Sequence, residues 1–181
     1  MTNQLGIDNG KVTNTWHIDN NRAAEHIDLR NASHEFFKAP ANKPHYRLPG
    51  GQLHFIDTLD IVEGGGKAGK GYVYAERSID ATDWFFQYHF HQDPVMPGSL
   101  GVEAIIEAMQ TWALKNRLGA AFKNPRFNQP LSTVVWKYRG QITPINKKMN
   151  LDIHITDVKH EAGRITVIGD ANLSKDGLRI Y

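Results

Sequence analysis

The stretch that decides the fold is "PGSLGVEAIIEAMQTWALKNRLG", residues 97–119. It predicts one long helix, with Ser99 available as the N-terminal cap and Gly119 as the C-terminal stop. A helix that is apolar nearly all round is buried rather than laid on a surface. Most of this circumference is apolar, since it carries Leu100, Val102, Ala104, Ile105, Ile106, Ala108, Met109, Trp112, Ala113 and Leu114.

Short stretches typical of β-strands lie on both sides of this helix in the sequence. Alternating or aromatic-rich patterns predict strands, and Asp176-Gly177 predicts a hairpin turn. The pattern in "NLDIHITDV" also predicts that His154 faces solvent, opposite Leu151, Ile153 and Ile155. We therefore predict an α+β hotdog fold, an antiparallel sheet wrapped around one long central helix. The strand candidates are "QLHFIDTLDIV" (which could begin with a helical turn), "GYVYAERSI", "WFFQYHF", "STVVWKYRGQI", "NLDIHITDV", "GRITVIGDANL" and "LRIY".

The chain divides into two segments. Residues 1–41 are Asn-rich and lack sustained periodicity, so we interpret them as an N-terminal extension or linker. They contain one short predicted helix, Ala32 to Lys38, with Asn31 as its cap. Residues 42–181 form the predicted hotdog domain, which we expect to be truncated at its C-terminal strand, since the sequence stops at "DGLRIY".

Composition excludes several classes of protein. The net charge of the 181 residues is only +2 and the basic residues are scattered, unlike a nucleic-acid-binding surface. The absence of cysteine removes disulfides, thiolate nucleophiles and Cys-based zinc sites. No signal peptide and no window of about 18 apolar residues is seen. We predict a cytoplasmic protein that binds neither nucleic acid nor membrane.

The Gly-rich stretch "EGGGKAGKG" imitates a phosphate-binding P-loop. Gly64, Gly69 and Lys70 have the P-loop spacing, but Gly71 stands where a Ser or Thr would hold magnesium. A strand rather than a helix is predicted to follow, whereas a P-loop needs a helix N-terminus at the phosphates. We interpret the stretch as a flexible hairpin loop.

"HFHQDPVMPG", residues 89–98, has two interpretations. In the first, His89, His91 and Asp93 gather a metal, because residues two apart on a strand share a face. A dinuclear metallo-hydrolase would normally have another His directly after the Asp, and here Pro94 occupies that position. In the second, His89 is half of a metal-free acid–base site and the rest is a turn into the long helix. The second interpretation is favoured, with no metal and no organic cofactor.

The partner of His89 in that second interpretation is Glu103. A carboxylate on an apolar helix is costly to bury unless it is paired or used, and desolvation raises its pKa toward a protonated acid. A neutral His and a protonated Glu suit the elimination of water. If Glu107, one turn later, shared the face of Glu103, repulsion between the two carboxylates would further favour a protonated acid. Each residue alone also fits a structural role, so the joint arrangement carries the hypothesis.

"WFFQYHFHQDPVMPGSLGVEAIIEAMQ" closely resembles the active-site segment of the FabA-like β-hydroxyacyl-ACP dehydratases. The resemblance extends from Pro49 to Tyr181, and "RLPGGQLHFIDT" is most similar to dehydratase domains of polyunsaturated fatty acid synthases. It implies a (3R)-hydroxyacyl-ACP dehydratase, with His89 as the base at C2 and Glu103 as the acid at the departing hydroxyl. Gly98 would bind the thioester carbonyl through its N–H. The remaining residues predicted to bind substrate are Val95, Pro97, Ser99 and Glu107.

The resemblance also implies partners. The substrate would arrive on the phosphopantetheine arm of an acyl carrier protein, and the domain would form a homodimer or a pseudo-dimer with a second hotdog domain. In the family each site draws its His and its acid from different subunits. Two departures from the family stand out: Glu103 replaces the Asp usual in dehydratase/isomerases, and Glu107 replaces a Gln. Two alternatives therefore stay open, a dehydratase that also isomerises trans-2 to cis-3 double bonds and a catalytically silent dimerisation or docking module.

Overall fold

An antiparallel sheet and one long helix dominate the computed structural model, which describes residues 6–8, 11–13, 24–43, 45–129 and 134–181. Short 3-10 turns lie at Glu35–Phe37 and Gly51–Leu53. The strands and helices are, in chain order, β1 (Gly6–Asp8), β2 (Lys11–Thr13), β3 (Glu25–Asp28), β4 (Thr58–Val62), β5 (Tyr72–Ser78), α1 (Trp84–Tyr88), α2 (Gly98–Lys115), β6 (Lys148–Glu161), β7 (Arg164–Lys175) and β8 (Leu178–Arg179).

The main sheet has the order β3-β4-β5-β6-β7-β8, with antiparallel neighbours throughout. β1 and β2 pair with each other in a separate two-stranded sheet. A bulge lies between Ile155 and Asp157 in the long β6–β7 hairpin. The predicted Asp176-Gly177 turn is confirmed: both residues have positive φ, 48° and 81°, as a two-residue hairpin turn of this type requires.

The strands bury one face through their two-residue period. This face meets α2, whose Ala104, Ala108 and Trp112 belong to the same buried cluster. The arrangement is α+β and consistent with the hotdog fold. On the sheet side the cluster includes Leu59, Ile61, Val73, Ala75, Leu151, Ile153, Ile155 and Leu173.

Burial of α2 is one-sided in the described chain. Val102, Ile105, Ile106 and Met109 are only partly buried, although the sequence predicted burial around the whole circumference. None of the helices in the described residues is both long and apolar enough to cross a membrane.

Both predicted ends of α2 are corrected. The helix begins at Gly98 with Pro97 as its N-cap, two residues earlier than a Ser99 cap would place it. It ends at Lys115, where the Asn116 side chain donates to the Trp112 carbonyl oxygen at 2.8 Å. Gly119 is instead a packing glycine, because a Cβ there would lie 2.4 Å from the ring of Tyr46.

Two predicted strands are wrong. "WFFQYHF" contains the short helix α1, which follows a turn in which Asp80 accepts from the Thr82 N–H and which buries Phe85 and Phe86. In "STVVWKYRGQI", the described residues 134–142 form no strand. Only one ladder-like hydrogen bond joins this segment to the end of the sheet, from Arg139 N–H to the Ile180 carbonyl oxygen at 2.8 Å. An alternating pattern forms a strand only where a neighbour of sufficient length can pair with it.

The predicted N-terminal extension contributes to the sheet. β3 lies within residues 1–41 and pairs with β4 over its whole length. The predicted helix from Ala32 to Lys38 is reduced to the 3-10 turn at Glu35–Phe37, because the Asn31 side chain accepts from the Ser33 N–H and forms a tight local turn instead.

The Gly-rich stretch is the predicted loop between β4 and β5, and it covers a histidine. His154 is only 2% exposed, so the prediction that it faces solvent is wrong. The loop folds over β6, where Lys67 N–H donates to His154 Nδ1 at 3.2 Å. Desolvation lowers the pKa of His154, and the nearby charge of Asp152 acts in the opposite direction. A period-2 pattern does not reveal a loop that covers the polar face.

The contact between this loop and α2 provides a test of helix packing. Gly71 has φ of +153°, and a Cβ on it would lie 2.7 Å from the indole nitrogen of Trp112. We expect Gly71→Ala to lower the free energy of unfolding by about 2–4 kcal/mol, through backbone strain and overpacking together. Gly69→Ala is the control: its φ is +66° but its nearest contact is 3.8 Å, so about 1–2 kcal/mol is expected from strain alone. Equal losses in urea unfolding would contradict the packing of α2 against this loop.

Candidate active site

His89 is the C-cap residue of α1, and one nitrogen of its ring contacts a backbone carbonyl oxygen. The backbone N–H of His89 donates to the Phe85 carbonyl oxygen at 3.1 Å, which fixes the backbone at this position. Nδ1 lies 3.0 Å from the Val95 carbonyl oxygen, an acceptor only, so Nδ1 carries the proton of the neutral ring. Nε2 is then unprotonated and able to accept a proton. Phe90 stacks on the imidazole with ring centroids 4.0 Å apart.

The turn after His89 is anchored by its apolar residues. Val95 and Met96 are 4% and 3% exposed, and Met96 N–H donates to the Ile142 carbonyl oxygen at 2.9 Å. Gln92 has φ of 59°, which reverses the chain. Because this turn is fixed at its buried end, the Val95 carbonyl is held in place against the imidazole.

The other residues of the metal interpretation lie on the outside of this turn. His91 and Asp93 are both exposed, whereas His89 is partly buried and faces the Val95 carbonyl. Within the described ranges, no group of three or more His, Asp or Glu side chains is arranged to hold a metal ion.

Gly98 opens α2 at the end of the same turn, between Pro97 as the cap and exposed Ser99. The N–H groups of a first helical turn have no acceptor within the helix, and a helix N-terminus favours negative charge. Gly98 is thus suited to bind a carbonyl oxygen that gains negative charge.

An aromatic cluster that the sequence reasoning missed covers Gly98. A Cβ on Gly98 would lie 2.9 Å from the ring of Tyr138 and 3.2 Å from that of Trp136. The Tyr181 hydroxyl donates to the Gly98 carbonyl oxygen at 2.8 Å, and burial raises the pKa of that hydroxyl. A strand over "STVVWKYRGQI" would place Trp136 and Tyr138 on one face, but the sequence pattern does not say which backbone that face covers.

Glu103 lies one and a half turns along α2 from Gly98 and is partly buried. Among the described residues it makes no hydrogen bond or ion pair with His89. The two predicted catalytic residues are therefore on adjoining elements of one chain, without direct contact between them.

Glu107 is held by the protein. It is 1% exposed, and its two carboxyl oxygens lie 2.6 Å from His54 Nδ1 and 2.6 Å from the Phe55 backbone nitrogen. Burial raises the pKa of the Glu107 carboxyl, and hydrogen bonding and charge from His54, with the Phe55 N–H and the charge of Arg77, act in the opposite direction. Its predicted contact with substrate stays a prediction. Nothing in "QLHF" indicated that His54 would face it.

An open cavity of about 1310 Å³ lies along the partly exposed side of α2. The helix contributes Val102, Ile105, Ile106 and Met109 to its lining, and β7 contributes residues 164–171. The lining of the cavity does not include His89, Gly98 or Glu103. It does include Val102, the neighbour of Glu103 in the helix, and Tyr181, whose hydroxyl donates to the Gly98 carbonyl oxygen. The edge of the cavity therefore lies beside Glu103 and Gly98.

The order His89, Val95 turn, Gly98, Glu103 occurs inside a segment that a known family shares. The family model of the FabA-like domain matches residues 48–181. The chain belongs to the FabA-like family. A polyunsaturated fatty acid synthase polypeptide of Thraustochytrium sp. (strain ATCC 26185 / S-3) is 34% identical over 190 residues. That match covers 98% of this FabA-like chain but 12% of the relative, so the chain spans a small part of the length of that protein. The resemblance predicted from the motif is confirmed.

The contact between His89 and Val95 predicts the tautomer of the imidazole. We expect the neutral ring of His89 to carry its proton on Nδ1, because the Val95 carbonyl can only accept. Long-range nitrogen–proton NMR correlation of the histidine rings measures this directly. A neutral ring protonated on Nε2 would contradict the geometry, and exposed His91 serves as an internal reference without such a contact.

Proposed function

We propose that this FabA-like chain is a dehydratase domain that eliminates water from a (3R)-hydroxyacyl thioester to give a 2-enoyl thioester in fatty acid synthesis. The single observation that carries the proposal is the orientation of His89. Its Nδ1–H is fixed by the Val95 carbonyl, so that Nε2 can take a proton. The family match over residues 48–181 supports the same reaction class.

His89 acts as the base in the proposed reaction. Nε2 takes the proton from C2 of the substrate, and the electron pair of that C–H bond forms the C2–C3 double bond. The C3–O bond breaks as Glu103 gives a proton to the departing hydroxyl, which leaves as water. His89 then holds one added proton and Glu103 lacks one, and proton transfer through water restores both. Positioned acids and bases of this kind contribute about 10²–10⁴-fold each.

Gly98 stabilises the charge that develops on the thioester carbonyl. Loss of the C2 proton places negative charge on that oxygen, and the N-terminal N–H groups of α2 supply donors and a favourable dipole. Val95, Pro97 and Ser99 surround the same turn and complete the proposed substrate site. The Glu107 carboxyl, one turn of α2 beyond Glu103, contacts His54 and the Phe55 N–H.

The open side of α2 suggests how the site is completed. We propose that the sheet wraps around α2 as in a hotdog fold and that a second copy or a second hotdog domain closes the open side. The lone chain leaves Val102, Ile105 and Met109 partly exposed along a cavity large enough for an acyl chain. The acyl group would arrive on the phosphopantetheine of an acyl carrier protein, in the cytoplasm.

Isomerisation of the product is a second candidate. The same His89 and Glu103 could return the proton to another carbon of the acyl chain, which would move the double bond from trans-2 to cis-3. The Glu at position 103 favours dehydration alone, since the isomerising relatives usually carry Asp. A silent docking module is the third candidate, and the retention of His89, Gly98 and Glu103 together counts against it.

Turnover of a 3-hydroxyacyl thioester tests the proposal. We expect His89→Ala and Glu103→Gln each to lower kcat by about 10²–10⁴-fold, because each removes one proton-transfer group. His91→Ala is the matched control, since this exposed histidine should be needed only for the metal interpretation. Wild-type rates in both active-site variants would refute the assignment. Loss of activity in His91→Ala would favour the metal interpretation, and chromatography of the enoyl products decides on isomerisation.

A further inference from the structure

We propose that Tyr181 is a positioning residue for the proposed carbonyl-binding turn, because its hydroxyl bonds the peptide that links Gly98 to Ser99. This inference rests on the proposed dehydratase function, in which N–H groups of this turn bind the thioester carbonyl. Tyr181 itself would not touch the reacting atoms. It acts through the Gly98–Ser99 peptide, whose carbonyl belongs to Gly98 and whose N–H belongs to Ser99.

Two adjacent N–H groups at the start of α2 have no acceptor within the described residues. The helix begins at Gly98, so the N–H groups of Gly98 and Ser99 have no partner inside the helix. Pro97 has no N–H, and the Leu100 N–H already donates to the Pro97 carbonyl oxygen at 3.0 Å. Across the described ranges, no hydrogen bond to another segment uses either N–H group. The turn therefore offers two neighbouring donors to a ligand oxygen.

The Tyr181 hydroxyl donates to the carbonyl of this turn from a buried position. Its oxygen lies 2.8 Å from the Gly98 carbonyl oxygen, and Tyr181 is 8% exposed, so little water competes for that acceptor. A donor on a peptide carbonyl polarises the whole peptide unit, which strengthens the N–H at its other end. Burial raises the pKa of the Tyr181 hydroxyl, which therefore stays protonated and keeps donating at neutral pH. The bond thus makes the Ser99 N–H a stronger donor and fixes its direction.

Backbone hydrogen bonds hold Tyr181 in this position. The Tyr181 N–H donates to the Leu173 carbonyl oxygen of β7 at 3.1 Å, and the Ile180 N–H donates to the same oxygen at 2.8 Å. Arg179 Nε donates to the Tyr181 backbone oxygen at 2.7 Å. One side chain therefore connects the end of the sheet to the first turn of α2.

Gly101 leaves room for the Tyr181 ring on α2. A Cβ on Gly101 would lie 2.6 Å from Cε2 of Tyr181 and 2.7 Å from its hydroxyl oxygen. Gly98 and Gly101 are three positions apart and therefore lie on one side of the helix. A larger residue at position 101 would push the hydroxyl away from the Gly98 carbonyl. The spacing of the two glycines thus matches the approach of the tyrosine.

Tyr181 is the inner member of the aromatic cluster over Gly98. Its ring centroid lies 5.4 Å from those of Trp136 and Tyr138, which are 43% and 48% exposed. In the part of the chain that the structure describes, neither outer side chain has a hydrogen bond to the turn. Tyr181 also lines the cavity along α2, so a contact with the acyl chain is the rival explanation for an effect on turnover.

Turnover of a 3-hydroxyacyl thioester by Tyr181→Phe separates positioning from binding, because the variant keeps the ring and loses only the hydroxyl. We expect kcat to fall by about 3–10-fold, the range for one hydrogen bond between neutral groups, while KM changes less than about twofold. The loss falls on kcat because the carbonyl gains its negative charge only as the C2 proton leaves. A raised KM with unchanged kcat would overturn the inference in favour of contact with the acyl chain.

Tyr74→Phe is the matched control, since it also removes a bonded tyrosine hydroxyl. The Tyr74 hydroxyl donates to Glu76 Oε1 at 3.0 Å and accepts from Asn150 Nδ2 at 2.8 Å. Its neighbours Val73 and Ala75 belong to the buried cluster under α2, so Tyr74 lies on the opposite face of the sheet. Both kinetic constants should stay unchanged in this variant. An equal fall of kcat in Tyr74→Phe would overturn the inference, because any lost hydroxyl would then have the same effect.

The carbonyl carbon of Gly98 gives an NMR readout that needs no turnover. A hydrogen bond to a carbonyl oxygen deshields the carbon, so Tyr181→Phe should move the Gly98 carbonyl resonance upfield and shift the Ser99 amide nitrogen. Tyr74→Phe should move neither. Unmoved resonances in folded Tyr181→Phe would overturn the inference even if the wild type is an active dehydratase. An inactive wild type would defeat the proposed function and this inference together, which distinguishes the two failures.

Discussion

The buried carboxyl of Glu107 is the constraint on which the rest of the structure depends. Placing it in the middle of an apolar helix is costly unless both oxygens are bonded. The Phe55 N–H and the His54 ring supply those bonds, so the segment before β4 must lie at one fixed place on α2. Breaking a buried pair of this kind typically costs about 3–5 kcal/mol. The carboxyl thus fixes the register between the helix and the segment that leads into β4.

The candidate site lies in one continuous stretch of the chain, from His89 to Glu103, which ends one turn of α2 before Glu107. The turn from His89 to Gly98 does two things at once: its Val95 carbonyl orients the imidazole, and its end begins α2 with donors at the N-terminus. Burial of Val95 and Met96 holds the turn, so both parts keep their relative position. The proposed base and the proposed carbonyl-binding group are therefore both positioned by backbone geometry.

Local patterns predicted much of this fold. The period-2 strands β5, β6 and β7, the Asp176-Gly177 turn and the long helix were all recognisable, because burial of one face and turn chemistry leave local signals. The ends of α2 were off by a few residues because Pro97 and Asn116 rather than Ser99 and Gly119 terminate it. The aromatic run at 84–90 has strand propensity, yet burial of two phenylalanines after a tight turn makes it helical.

The contacts that were not predicted join residues far apart in the chain. His54 and Glu107 are 53 positions apart, and Lys67 and His154 are 87 apart. Neither the cover of His154 by a glycine loop nor the aromatic cover of Gly98 has a pattern that a single sequence shows. The motif of His89, Gly98 and Glu103 was accessible because a family shares it. The contact between Glu107 and His54, one helical turn beyond Glu103, became visible only in three dimensions.

The most direct measurement of the central claim is hydration of a 2-enoyl thioester in D₂O, the reverse of the proposed reaction. Wild-type protein should add hydroxyl at C3 and place one deuterium at C2, detectable by mass spectrometry and proton NMR of the recovered 3-hydroxyacyl thioester. His89→Ala should give neither at an appreciable rate. Deuterium at C2 formed equally fast by His89→Ala, or no hydration by the wild type, would contradict the account.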